Sequence, residues 1–256
     1  MGRAVVKRFA SNGYRVFALD RDPPPPDEAV VPLTADVTDE AAVAVAFRAV
    51  ADASPDGLDG ILHLAGLYRL DSLVEIEPAE FDRVFRVNLG GAFLINRTFL
   101  PLLKRGARVI LVTSELAVRD PLPFTGLYGI SKAALDRYAY SLRMELQLLG
   151  IPVSVLRAGA VDTGMLGEST RQLERFCRRT ERYAVSAKRF RAIVDRVEAR
   201  RVPPERVADK LFAVASRKHP RFSYSLNRNP LLILFDCLPK RLRFFLIRRL
   251  LTVSDS

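Results

Sequence analysis

Only two cysteines, Cys177 and Cys237, and two histidines, His63 and His219, occur in 256 residues. The cysteines are sixty positions apart and in no paired spacing. They read as free thiols in a reducing, cytoplasmic compartment, which argues against a disulfide framework and a zinc ribbon. Two histidines cannot build a His-rich cage, so no metal site is expected. A Ser-His-Asp hydrolase is disfavoured as well: Ser114 lacks a Gly-x-Ser-x-Gly turn, and His63 sits upstream inside a strand-like run. The opening MGRAVVKRF has no secretory apolar region, and Val6 breaks the myristoylation pattern that Gly2 suggests. Acidic residues are scarce, 29 against 40 basic ones, giving a net charge of +11. The arginines are spread along the chain, with no zinc-finger spacing and no RNA-reading aromatic motif. A solvated basic surface is therefore expected, and nucleic acid is not an expected partner.

Long apolar runs are also missing. The greasiest stretch, Asn229 to Leu251, is broken by Pro230, Pro239 and five basic residues, too often to span a bilayer. Projected at 100° per residue, 240–251 gives a broad apolar arc into which Arg243 intrudes. Two readings stand for this tail: a helix packed over the end of the domain or a pocket, and peripheral contact with a membrane surface.

What is present fits one α/β domain spanning 1–256. The chain is 49% hydrophobic with mean hydropathy near zero, globular rather than disordered. Strand-like and helical runs alternate, which predicts βα units and a largely parallel sheet. Helices are expected over 3–11, 38–51 with Thr38 as N-cap, a long stretch from Pro78 to Leu103, and from Tyr128 onward. Strands are expected at 14–19, 30–34, 60–64, 109–112 and 151–156. Gly90-Gly91 predicts a kink or close packing in the long helix. From about 164 to 216 the pattern is polar, Arg-rich and helical, broken at Pro203-Pro204. The tail of 229–256 follows.

The chemistry-bearing pattern lies in RVILVTSELAVRDPLPFTGLYGISKAALDRYAYSL. The β-branched run delivers Ser114 at its end, and fourteen residues later a helix opens at Tyr128. Tyr128 and Lys132 are one turn apart on one helix face. An ammonium there would lower the phenol pKa from about 10, suiting proton transfer to or from an alcohol or carbonyl oxygen. Alone, Tyr-x-x-x-Lys also reads as an exposed surface pair. In an alternating βα sheet, small-molecule chemistry sits at the C-terminal strand ends. There fall Asp20, Asp36, Ala65-Gly66, Ser114 and Gly159. A carboxylate at the end of the strand after the first helix can bind ribose hydroxyls, and Asp20 follows Gly2 by eighteen residues. Its other reading is an ordinary turn aspartate.

Together these residues resemble the short-chain dehydrogenase/reductase family over nearly the whole chain. Ser114, Tyr128, Lys132 and Asn88 match the family's catalytic tetrad, with Asn88 inside VNLGGAF. LHLAG retains Ala65 and Gly66 of the motif closing the fourth strand. Asp36-Val37 matches the pair that touches adenine. Gly159, Val161 and Thr163 match the element beside the nicotinamide. The departures are a Ser-to-Tyr interval one residue long, with Glu115 at the usual spacing, Ala158 for Pro, and Leu64 for Asn. The first strand and most of the Gly-rich loop have no counterpart, and only Gly2 remains of the glycines. An upstream start is the expectation, since the missing strand would be central and its loss leaves two neighbours exposed.

The resemblance implies a Rossmann-type doubly wound sheet with helices on both faces and hydride transfer between nicotinamide and a secondary alcohol or ketone. It makes Tyr128 the acid/base, with Lys132 lowering its pKa and binding ribose hydroxyls. Ser114 would orient the substrate oxygen, and Asn88 would hold a water linking Lys132 to solvent. NAD is preferred over NADP because Asp20 repels a 2′-phosphate, although Arg21 stands where NADP users place arginine. The Arg-rich helices from Met165 onward and the greasy 229–251 tail suggest an apolar substrate, steroid-, retinoid- or lipid-like, and a homo-dimer or homo-tetramer follows by the same resemblance. The competing reading is a catalytically impaired binding or regulatory protein of this fold.

Overall fold

The computed structural model of the chain describes residues 1–198 and 200–252. Residues 199 and 253–256, within the expected helical segment and tail, lie outside them. Among the described residues six strands, all paired in parallel, fall into two sheets. β1 (Val16–Asp20) pairs with β2 (Val30–Thr34). The second sheet runs β3 (Leu58–His63), β4 (Leu103–Ser114), β5 (Val153–Ala158) and β6 (Ser223–Leu226). The short, polar β6 had no signal in the alternation pattern.

Side chains alternate between the two faces of β4 and are buried without a break from Val109 to Ser114, because helices cover both faces. Ile110 and Val112 face α1 (Gly2–Ala10) and α8 (Pro204–Ala215), whose Val5, Phe9, Val207 and Leu211 complete that core. Val109 and Leu111 face α4 (Gly91–Phe99) and α5 (Gly126–Leu146), against Ala92, Leu135 and Ala139. A third cluster joins the two sheets. Val43 and Val50 of α2 (Glu40–Ala53) and Ile95 and Phe99 of α4 pack on Phe17, Leu33 and Ile61. β1 and β3 are half-buried there, whereas Val109 and Leu111 of β4 are fully buried.

Two local expectations are corrected. Asp39, not Thr38, caps α2, its carboxylate accepting from the amides of Ala41 and Ala42. Thr38 instead bonds the Asp36 carboxylate through its amide and hydroxyl, an Asx turn that sets the helix start one residue later. The long helix is interrupted: α3 (Pro78–Phe85) passes into a π-helical turn at Arg86–Gly90 before α4. Gly91 is required there, since a Cβ would meet Val37 Cγ2 at 2.6 Å.

Beyond β5 lie α6 (Gly164–Arg179), α7 (Ala184–Glu198) and α8, then β6 and a tail of two helices, α9 (Pro230–Asp236) and α10 (Lys240–Leu251). A fourth cluster binds this side, with Leu173, Phe176, Phe190, Ile247 and Leu251 around Leu70 and Phe124. Among the described residues no helix is long and apolar enough to cross a membrane.

Candidate functional site

The C-terminal ends of the parallel strands bring Ser114, Tyr128, Lys132 and Asn88 together. Ser114 is the last residue of β4 and is buried; its Oγ accepts from Leu116 N at 3.2 Å and hydrogen bonds the Tyr128 phenol. Lys132 is buried one turn along α5, its Nζ 6.0 Å from the Tyr128 ring centroid. That ammonium donates to the Val112 carbonyl at 3.3 Å. Asn88 lies in the π-helical turn and is 1% exposed. Its Oδ1 accepts from Leu67 N at 2.6 Å, while its Nδ2 donates to Leu67 O at 3.0 Å and to Ser131 Oγ at 2.9 Å. Ser131 Oγ in turn donates to the Tyr128 carbonyl at 2.8 Å.

The electrostatics differ from the expectation that Lys132 lowers the phenol pKa. Burial pushes Tyr128 up to about 12, opposed by the Ser114 hydrogen bond. Burial also lowers Lys132 to about 8. Desolvation disfavours the charged form of each. Both amide hydrogens of Asn88 are committed to Leu67 and Ser131. Asn88 is a clamp between the π-helical turn, the loop after β3 and α5.

Gly66 makes this cluster possible. A Cβ there would meet Lys132 Nζ at 3.1 Å and Asn88 Oδ1 at 3.2 Å. Ala65 beside it is exposed. Asp20 ends β1 in an exposed position, with exposed Arg21 next to it. Asp36 is held below the usual carboxylate range by its bonds to Thr38, helped by the charges of Arg21 and Arg83. Gly2 opens α1 with free space over its Cα. Asp20 and Ala65 are thus exposed after β1 and β3, while Gly2, Asp36 and Gly66 are half-buried. Val37 packs against Gly91, and its side chain is part of the core between α2 and α4.

The segment after β5 is more closely packed. Val161 is buried in the core against α1 and α8 and bridges to Val202. A Cβ on Gly159 would sit 2.0 Å from the Asn227 carbonyl, so this glycine admits the chain leaving β6. Thr163 is half-buried at the N-cap of α6, and its hydroxyl makes no capping bond.

Several site neighbours carried no local signal. Tyr68 meets Tyr128 edge to face at 4.5 Å between centroids. Glu115 is buried, and its Oε2 accepts from Asn229 N at 2.9 Å. Asp136, one further turn along α5, accepts two bonds from Arg157 at 2.9 and 2.8 Å and one from Thr113 at 3.2 Å. His63 bonds Asn96 at 2.8 Å, and burial lowers its pKa to about 4, so it stays neutral. Among the described residues no His, Cys, Asp and Glu cluster could hold a metal ion, and both cysteines are free.

Parallel strands covered by helices on both faces thus gather buried Ser114, Lys132 and Asn88 around half-buried Tyr128 at their C-terminal ends. Residues 1–174 match the short chain dehydrogenase family model. The chain belongs to the short-chain dehydrogenase/reductase family. It is 30% identical over 168 residues to a versicolorin reductase of Emericella nidulans, covering 66% of this chain and 58% of that protein. It is 31% identical to the 2,3-dihydro-2,3-dihydroxybenzoate dehydrogenase of Escherichia coli, over 64% of this chain and 66% of that one. The chain thus spans less than two thirds of either relative. Among solved structures, the 3-ketoacyl-(acyl-carrier-protein) reductase of Brucella melitensis complexed with NADH superposes with a TM-score of 0.70 at 22% identity, covering 88% of this chain and 91% of that one.

Proposed function

We propose that this chain is an NAD(P)-dependent oxidoreductase acting on a secondary alcohol or ketone. The observation that carries the reading is the hydrogen bond between buried Ser114 and half-buried Tyr128, with the Lys132 ammonium one helical turn behind it. Bound along the strand ends, the nicotinamide would supply or take the hydride. Tyr128 gives its phenolic proton to the forming alkoxide, or takes the proton back in oxidation. With its own pKa near 12, the phenol is a proton donor throughout the neutral range. Ser114 orients the substrate oxygen against it. Lys132 stabilises the phenolate left behind and stands against Gly66, where a ribose hydroxyl would pass. Asn88 positions this group by clamping Leu67 and Ser131.

NAD is the preferred cofactor, because exposed Asp20 at the tip of β1 repels a 2′-phosphate, with Arg21 as the residue that would accept one. The substrate is apolar, steroid-, retinoid- or lipid-like. Tyr68 on the Tyr128 ring adjoins the cluster of Leu70, Phe124 and Phe176, which offers the reacting carbon an apolar neighbourhood. Two copies would associate through the helices carrying Asn88 and Tyr128. Between them runs an open groove of 660 Å³ lined by Phe85, Leu89, Phe93 and Tyr138. Turnover of an apolar ketone panel with NADH and NADPH tests the reading. Turnover of small polar sugars alone would overturn the substrate class.

One observation favours a second reading, a binding or regulatory protein with a silent centre. Gly159 and Val161 are occupied by contacts with Asn227 and Val202 rather than left open. Isothermal titration with NADH discriminates: binding supports the enzyme, and no binding supports the silent module.

A further inference from the structure

The tail helix α10 buries an arginine and exposes two phenylalanines. Arg243, which interrupts its apolar arc, points inward at 12% side-chain exposure and pairs with Asp120 at 3.0 Å and Asp236 at 3.6 Å. Arg119, also buried, pairs with the same Asp236. Ile247 and Leu251 pack inward as well, on the cluster with Leu173 and Phe176. The opposite face carries Phe244 at 69% and Phe245 at 57% exposure, with Leu242 beside them. Arg241, Arg248 and Arg249 are exposed on that same face. The preceding α9 adds Leu231 and Leu234, each at least 60% exposed. Exposing two phenylalanines beside a buried, paired arginine is unfavourable in water for a helix of this composition.

We propose that this face of α9 and α10 docks on an anionic lipid bilayer. Positions 237–252 contain no Asp or Glu, and among the described residues no carboxylate pairs with Arg241, Arg248 or Arg249. A second copy seated on this face would set those arginines against their own counterparts, a like-charge contact that disfavours self-association. Anionic headgroups complement them, while Phe244, Phe245 and Leu242 enter the headgroup–acyl boundary. The inward contacts hold the helix in this orientation, so docking needs no rearrangement. The inner side of α10 also closes the cluster that reaches Tyr68, which places the apolar side of the Tyr128 centre next to the lipid. That last step rests on the oxidoreductase reading, and the docking does not.

Flotation of the full chain with phosphatidylcholine vesicles, with and without phosphatidylserine, tests the proposal. The chain floats with the phosphatidylserine vesicles. F244S/F245S lowers that partition by about tenfold or more, and R248Q/R249Q lowers it too, each variant keeping the parent's circular dichroism and Tm. Failure of the unmodified chain to float overturns the proposal. So does equal flotation of F244S/F245S, which would mean diffuse charge attraction. So does sedimentation velocity in which F244S/F245S dissolves a dimer that the parent chain forms.

Discussion

Asn88 holds both backbone polar groups of Leu67, accepting from its amide at 2.6 Å and donating to its carbonyl at 3.0 Å. The contact ties the π-helical turn to the loop that follows β3, and the bond to Ser131 extends it to the helix of Tyr128 and Lys132. Three segments far apart in the chain are thus registered by one side chain. The π-helical turn re-aims the helix so that Asn88 faces inward, as such turns often do near functional sites.

Asn88→Ala should therefore destabilise the chain by about 2–4 kcal/mol, because it strands buried groups of Leu67 and Ser131. Asn88→Asp should cost a similar amount, since a carboxylate faces the Leu67 carbonyl without donors. Chemical denaturation checks both, and a loss below 1 kcal/mol for both variants would contradict the clamp.

Lys132 gives a pH signature in stability. Its folded pKa, about 8, lies below the unfolded value of 10.5, so the unfolded chain binds more protons between those values. Stability from this group therefore rises with pH across that window, and its cost is fully present below pH 8. Lys132→Met removes the slope. The variant should gain stability over the parent at neutral pH, on the order of 3 kcal/mol, and the gap should close above pH 10. Denaturation series at several pH values measure it.

Tyr128 should titrate late. Ultraviolet titration of the folded chain should show one phenol with a midpoint near 12 that is missing in Tyr128→Phe. Since the folded pKa is raised above the unfolded value of 10.0, the phenol adds stability below pH 10 that is lost as pH rises toward 12. The same variant should keep its fold and lose about 10²–10⁴-fold in kcat.

Asp20 should govern cofactor choice. The parent chain should show a higher kcat/KM with NAD than with NADP, and Asp20→Ala should narrow or reverse that ratio. A strong NADP preference in the parent chain would contradict the role given to Asp20.

The legible parts of this molecule were those set by local spacing. Tyr128 and Lys132 share a face because they are one turn apart, and Ser114 ends a β-branched strand. Gly90-Gly91 signalled close packing, and the Val37–Gly91 approach is that packing. Long-range partners left no such mark. Leu67 lies 21 positions from Asn88 and Ser131 lies 43 away. The inward turn of Arg243 depends on Asp120 and Asp236, which no helical projection of 240–251 includes. The raised phenol pKa leaves no mark in the sequence either, because adjacent charge is visible there and desolvation is not. Glu115 stood at the spacing of a catalytic serine, yet its partner is the backbone of Asn229.

Deuteride transfer tests the central claim most directly. The purified chain is incubated with an apolar ketone and NADH deuterated at its transferable position, and the product is examined by mass spectrometry. The account predicts deuterium on the new carbinol carbon with the parent chain and a rate lower by at least about 10²-fold with Tyr128→Phe. Absence of label with the parent chain across the ketone panel, or label formed at the parent rate by Tyr128→Phe, would contradict it.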